Sequence, residues 1–239
     1  MRNAIRSFLL IGILASAAAA SAQQRPPVAD QIAKTYGFDS FGQIDAIRYT
    51  FNIDFGAFKL SRSWIWEPKT DQITYDGKDK SGKPVKISYS RSQLATQDAF
   101  VKEQVDPGFF NDQYWLLFPF HVLWDTSATV QDAGKQKLPL GKGSAQKVAV
   151  KYPSSGGYLP GDTWELFVGK DRRIQALHFI RGGDTKPTAL STNWADHKKA
   201  GPLLVALDHR GTCDGQPCRI FFSDVAVKLA GSSNWVNAQ

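Results

Sequence analysis

Four histidines, His121, His178, His197 and His209, are the side chains best suited to acid–base or metal chemistry in this sequence. Two follow aspartates, as Asp196-His197 and Asp208-His209, and a carboxylate beside an imidazole can orient the ring for a metal or a proton transfer. Adjacent residues on a strand point to opposite faces, so neither dipeptide is itself a dyad. No histidine spacing matches a metal motif such as H-E-x-x-H. There is no G-x-S-x-G nucleophile elbow, and Gly143-Ser144-Ala145 and Ser154-Ser155-Gly156 read as turns. No glycine-rich loop ends in Gly-Lys-Ser/Thr, so nothing cradles a phosphate. These patterns assign no catalytic residue, no metal ligand and no cofactor. An envelope hydrolase built on Asp196, His197, Asp208 and His209 stays as an alternative reading.

Cys213 and Cys218 are separated by Asp-Gly-Gln-Pro, a turn-forming tetrapeptide. In an oxidising compartment the pair is expected to close a hairpin as a disulfide, a local staple contributing about 2 kcal/mol. A metal pair is the other reading. The spacing is not C-x-x-C, and no second Cys or His pair stands nearby.

The aromatic side chains carry more information. Trp64 and Trp66 share one strand phase, and Trp164 alternates with Leu166 and Val168. Tyr114, Trp115, Phe118 and Phe120 lie in the most aromatic run of the chain. Together they are either an ordinary core or the wall of an apolar cavity between a sheet and a helical lid. Arg62 sits in phase with Leu60 and Trp64. A charge in an apolar phase needs a partner, and a latch to the lid, a contact to a ligand head group, or a place near a strand bulge would each explain it.

The elements that must position these residues are mostly strands. Ile47, Tyr49, Phe51 and Ile53 alternate with Arg48, Thr50, Asn52 and Asp54, a half-buried pattern. Phe58, Leu60, Trp64 and Trp66 repeat it. Short strands are expected at 72–75 and 84–89, then at 147–152, 162–168, 174–181, 190–196, 203–209 and 219–229, with Gly and Asp punctuation between most of them. Residues 175–180 are apolar on both faces, so something must cover the second face. Helices are expected at Val28–Tyr36, ended by Gly37, and over 99–105 and 107–117, interrupted at Asp106-Pro107-Gly108. A loop is expected from Thr126 to Ala145. Strands joined by short turns, without alternating helices, argue for an antiparallel α+β fold that is mostly β.

Residues 1–22 read as a secretory signal peptide: Arg2 and Arg6, then an apolar run from Phe8 to Leu14, then Ala20-Ser21-Ala22, with cleavage before Gln23. No cysteine stands at that site to take a lipid anchor. Losing Arg2 and Arg6 lowers the formal charge from +7 to +5. The later apolar run Tyr114–Trp124 contains Pro119 and His121 and falls short of the roughly 18 residues of a membrane span. The chain is 42% hydrophobic and 21% charged, which excludes a disordered class, and Gly 20 and Pro 12 exclude a fibrous one. Its lysines are scattered over turns (Lys78, Lys80, Lys83, Lys135, Lys137, Lys142, Lys198, Lys199), which reads as a solvated surface and not a nucleic-acid stripe. The expectation is a soluble periplasmic protein with one domain over residues 23–239.

Three segments together resemble an uncharacterised exported bacterial family: Asn111-Asp112-Gln113-Tyr114-Trp115-Leu116-Leu117-Phe118-Pro119-Phe120, Gly156-Gly157-Tyr158-Leu159-Pro160-Gly161-Asp162-Thr163-Trp164-Glu165-Leu166, and Trp194-Ala195-Asp196-His197. That family is similar in layout to the periplasmic lipoprotein carriers LolA and LolB. The resemblance implies a strongly curved antiparallel sheet, a half-open β-barrel, with helices over an apolar cavity that receives acyl chains. This sequence departs from a LolB-type protein in lacking a lipobox cysteine. The resemblance implies a non-enzymatic carrier or binding protein for a lipid or acylated ligand. Trp64, Trp66, Tyr114, Trp115, Phe118, Phe120 and Trp164 are the candidate cavity or lid residues, and Arg62 the polar contact. An envelope-assembly protein binding another protein through its aromatic face is a further alternative.

Overall fold

The computed structural model describes residues 25–182 and 188–239. The expected signal peptide lies outside the described residues. Helix α1 spans Pro27–Thr35 and is followed by a 3-10 helix at Phe38–Gln43. Four strands come next: β1 (Ile44–Phe55), β2 (Phe58–Glu67), β3 (Gln72–Lys78) and β4 (Pro84–Ser90). A π-helical turn at Val101–Val105 leads into α2 (Asp106–Trp124). The second half holds β5 (Thr129–Lys137), β6 (Ser144–Lys151), β7 (Thr163–Val168), β8 (Ile174–Ile180), β9 (Ala189–Asn193), β10 (Ala195–Ala200), β11 (Leu203–Cys213), β12 (Gln216–Leu229) and β13 (Trp235–Asn237).

The strands form one open antiparallel sheet in the order β4-β3-β2-β1-β12-β11-β9-β8-β7-β6-β5, with β10 beside β11 and β13 beside β12. The expected mostly-β class, an unclosed sheet with a few helices, is what the chain forms. The alternation on β1 works as expected: Ile47, Tyr49 and Phe51 are fully buried while Arg48 and Thr50 stay half-exposed. The two halves of the sheet meet where β9 pairs β11 over three residue pairs. That junction needs Gly211, where a Cβ would stand 1.8 Å from the Ser191 carbonyl oxygen.

Three expectations about elements are corrected. Residues 129–137, expected as loop, form β5. This is an edge strand whose lysines and glutamines face water on both sides, so it shows no alternation to read. The strand expected over 190–196 breaks at Trp194 into β9 and β10, with Asp196 in the left-handed region at φ 55°. The break at Asp106-Pro107-Gly108 does not occur. Pro107 falls in the first helical turn, where its missing N–H costs nothing, and α2 runs on through Pro119 to Trp124.

Helix α2 is more than a lid. Fourteen of its residues, from Asp106 to Val122, are buried on every side of the helix, the mark of a core helix. The sheet bends around it: α2 meets β2 through Arg62 and Trp64, β4 through Tyr89, β7 through Trp164, β8 through Phe179 and β11 through His209. Helix α1 and the 3-10 helix close its remaining side, with Phe38 and Phe41 against Phe120 and Trp124. The second face of β8 is covered locally. Ala176 joins Ala145 and Phe167 in a small outer cluster under Leu138.

Candidate functional site

The sheet and α2 enclose a cavity of about 370 Å³. Its apolar wall comes from Phe51, Ile53 and Phe55 of β1, Ile220 of β12, Leu190 of β9, Phe179 of β8, Trp164 of β7, and Tyr114 and Trp115 of α2. Tyr158 and Arg181, both exposed, mark its mouth together with Leu159, Asp162 and Thr188. Phe51, Ile53 and Phe55 all fall in one phase of β1, so strand alternation alone aims three apolar side chains at one place. A larger depression of about 920 Å³ lies among exposed residues such as Asp132 and Lys135 of β5 and Lys170 of the turn after β7, and has no comparable apolar wall.

Of the seven aromatic candidates, Tyr114, Trp115 and Trp164 line this cavity. The other four pack elsewhere. Trp64 is buried against Tyr75 and Phe109, and its Nε1 donates to Asp112 Oδ2 at 2.8 Å. Trp66 touches Phe41 and Phe109. Phe118 stacks on the back of Trp164 at 4.2 Å, and Phe120 lies among Phe38, Phe41 and Trp124. Sequence phase found the inward faces of the strands but not which inward residues are covered by α2 and which are left facing space. Phe179, Leu190 and Ile220 were missed for that reason. The loop residues Tyr158 and Leu159 give no periodic signal at all.

Arg62 reaches across from β2 to α2. Its Nε donates to Asp112 Oδ2 at 2.8 Å and its Nη2 to Oδ1 at 2.5 Å, a two-pronged pair. Asn111 donates to the same carboxylate at 3.0 Å. Burial pushes the Asp112 carboxyl up, against the pull of Arg62, Asn111 and Trp64. Gly108 makes room for the guanidinium: a Cβ there would stand 3.2 Å from Nη1.

Two further carboxylates fix α2 at its ends. Asp106 accepts from Tyr89 at 2.8 Å, from Arg91 at 3.1 Å and from the mouth residue Tyr158, whose ring stacks on Phe110 at 4.1 Å. Burial first, then the bond to Asp106, pushes the Tyr158 hydroxyl up to about 12. Asp125, just past the C-terminus, accepts from Tyr114 at 2.6 Å and Tyr152 at 2.5 Å, with His121 Nδ1 at 3.0 Å. Burial would raise Asp125, but these three partners outweigh it and hold the carboxyl below its usual range. Each aspartate is saturated by protein donors and serves to position the helix.

The Asp-His dipeptides do not assemble. Asp208 faces outward to Arg210 and Arg219, both at 2.6 Å, while His209 points inward and is fully buried against Trp194 at 4.0 Å. Asp196 is exposed, and His197 Nε2 lies 2.8 Å from the Tyr36 hydroxyl. His178 bonds Ser191 on the outer face. Among the described residues no group of three or more His, Cys, Asp or Glu is placed to hold a metal.

Cys213 and Cys218 are unbridged in this structure and lie on the hairpin that joins β11 and β12. Asp214 and Gly215, at φ 47° and 81°, make a two-residue type I′ turn. The resulting register sets Cys213 opposite Gln216, and Cys218 opposite Gly211. The two cysteines are therefore diagonal neighbours on one face of the hairpin. Burial pushes both thiols up, Cys218 to about 11.

No family model matches the chain, and no curated protein matches it. Several solved structures are similar. One is a DUF1329 family protein from Desulfovibrio piger ATCC 29098, 10% identical, covering 86% of this chain and 94% of its own, with a TM-score of 0.46. Another is a candidate outer membrane lipoprotein-sorting protein domain from Vibrio parahaemolyticus, 9% identical, covering 87% and 94%, with a TM-score of 0.47. Likeness this remote carries no information about ligand or activity. No helix among the described residues is long and apolar enough to cross a membrane.

Proposed function

We propose that the protein is a non-enzymatic carrier or binding protein of the bacterial envelope whose cavity takes the apolar chain of a lipid or acyl group. The observation that carries this reading is the cavity itself. About 370 Å³ of space is walled by Phe51, Ile53, Trp115, Trp164, Phe179 and Leu190 and opens at Tyr158 and Arg181. A well-packed core leaves no void of that size, and ligand sites have this volume and this apolar lining. Each methylene moved from water into it contributes about 0.8 kcal/mol. Tyr114, Trp115 and Trp164 are the ligand contacts in this reading, and Arg62, with Asp112, holds the helix that forms one wall. Residues 1–22 are the export signal in this reading, and residues 23–239 form one domain.

Native mass spectrometry of protein purified from the envelope tests the reading, paired with tryptophan fluorescence on adding a long-chain ligand to delipidated protein. Co-purifying lipid, or a saturable change in emission from Trp115 and Trp164, is the expected result. A bare protein with unchanged emission overturns it. Ester or phosphoester hydrolysis that vanishes in His197→Ala or His209→Ala would favour a hydrolase instead.

A further inference from the structure

We propose that the loop from Pro153 to Gly161 is a strap across the mouth of the cavity, latched by Tyr158 on Asp106, and that its release joins the cavity to a second hollow beside it. This rests on the cavity as the binding site and specifies how that site is reached, whatever its ligand.

Helix α2 is not the part that moves. It is buried on every side. The carboxylates of Asp106, Asp112 and Asp125 tie it and its C-terminus to Tyr89, Arg62 and Tyr152. The strap is built differently. Residues 153–158 are all exposed. Its neck is closed by two backbone bonds: Tyr152 N–H donates to the Asp162 carbonyl at 2.9 Å, and Gly161 N–H to the Pro153 carbonyl at 2.7 Å. Beyond the neck, among the described residues, two side chains hold it to the body. Leu159 is half-buried against the core. Tyr158 stacks on Phe110 at 4.1 Å and donates its hydroxyl to Asp106. Gly156 and Gly157, at φ 82° and 67°, lead into Tyr158. A Cβ at either would meet nothing within 4 Å, so these glycines serve the freedom of the backbone and not a close approach.

The latch stands between two hollows. Tyr114, Tyr158 and Leu159 line the cavity, and the same three line a second hollow of about 530 Å³ bounded also by Trp124, Tyr152 and Ser155. Tyr114 is fixed on α2 by its bond to Asp125. Tyr158 and Leu159 are therefore the movable part of the partition. Swinging them out about the neck turns the two hollows into one groove beside α2. The cost of opening is small. Tyr158 is 39% exposed, so water takes over its hydrogen bond as it leaves. Asp106 keeps Tyr89 and Arg91 as donors, so no buried carboxylate is left unpaired. Loops held this loosely open and close faster than the body of a fold unfolds.

Tyr158→Phe removes the latch hydroxyl and keeps the ring on Phe110. Two measurements read the result. The first follows an apolar naphthylamine dye by stopped-flow fluorescence, with exit started by excess methyl laurate. Entry and exit rates are both expected to rise about tenfold, as loss of one hydrogen bond to a carboxylate allows. Kd should stay within about twofold, because the latch closes over the empty and the filled cavity alike. The second measurement needs no ligand. Cys213 lines the cavity, and in reduced Cys218→Ser protein its alkylation by iodoacetamide should speed up by a similar factor when Tyr158→Phe is added. A second variant replaces residues 154–160 with Gly-Gly, which the Gly161–Pro153 bond can close as a tight turn. Without a strap, both measurements should exceed those of Tyr158→Phe. A rise in exit rate alone would make Tyr158 a ligand contact and overturn the strap. Unchanged dye rates or unchanged alkylation in Tyr158→Phe would also overturn it, and a rise confined to the strapless variant would overturn the latch. If the dye does not bind, the apolar-chain reading falls, and the Cys213 measurement still decides the strap.

Discussion

His209 makes the interior sensitive to pH. Its imidazole is fully buried beside Trp194 and Trp115. Burial lowers its pKa from 6.5 to about 3, with Asp208 and the backbone of Asn193 and Trp115 pulling weakly upward and His197 adding to the fall. Pro119 has no N–H to give the Trp115 carbonyl its helical bond, which is why that carbonyl is left facing the ring. The folded state holds His209 neutral, whereas the unfolded chain protonates it below 6.5. The contribution to stability is complete above pH 6.5 and is lost as the pH falls from there toward 3, by about 1.4 kcal/mol per pH unit. Urea midpoints of the wild-type protein and His209→Phe between pH 4.5 and 8 test this. The variant should lose less stability on acidification by about that slope, with no difference in slope above pH 7. Parallel curves across the whole range would show that the ring is not held neutral.

At the scale of elements, the joint between β2 and α2 determines whether the helix keeps its place. Arg62 is the partner that makes a fully buried Asp112 tolerable. Arg62→Leu strands a carboxylate in the core, and breaking a buried pair from one side costs about 3 kcal/mol or more. Arg62→Leu with Asp112→Leu removes both charges and should recover most of that loss, which a double-mutant cycle in urea would show. A single-variant loss below about 1 kcal/mol would place the pair with exposed ion pairs instead. The need for this joint was legible in the sequence, because Arg62 stands in the apolar phase of its strand. Its partner was not, since Asp112 lies 50 residues away in sequence. The same divide runs through the rest of the molecule. Strong alternation placed β1 and β2, and turn residues separated most of the later strands. Edge strand β5 was invisible because Val130 is its one buried residue, which leaves no alternation to read. Helix α2 looked broken because Pro107 suggests a break unless one knows that it sits in the first turn. The hairpin register, which sets Cys213 and Cys218 two residues out of opposition, is not revealed by spacing alone.

For the whole molecule, a cavity is a debt in stability that a ligand can settle. The sheet bends around α2 and leaves about 370 Å³ unfilled, and the residues around that space forgo the contacts a packed core would give them. If the space exists for an apolar chain, filling it from within should strengthen the fold and remove the function. Leu190 is 7% exposed and lines the cavity from β9. Leu190→Phe projects a larger ring into the space, and cavity-filling changes of this kind commonly add about 0.5–2 kcal/mol. Ligand at a hundred times its Kd stabilises the wild-type protein by roughly 2.7 kcal/mol, which appears as a rise in Tm. Thermal melts with and without methyl laurate should therefore show two opposite changes in Leu190→Phe: a higher Tm without ligand and a smaller rise with it. A variant destabilised without ligand would mean that the cavity is already closed by its own side chains at this wall. A variant that is stabilised yet keeps the full ligand-induced rise would place the binding site elsewhere on the molecule.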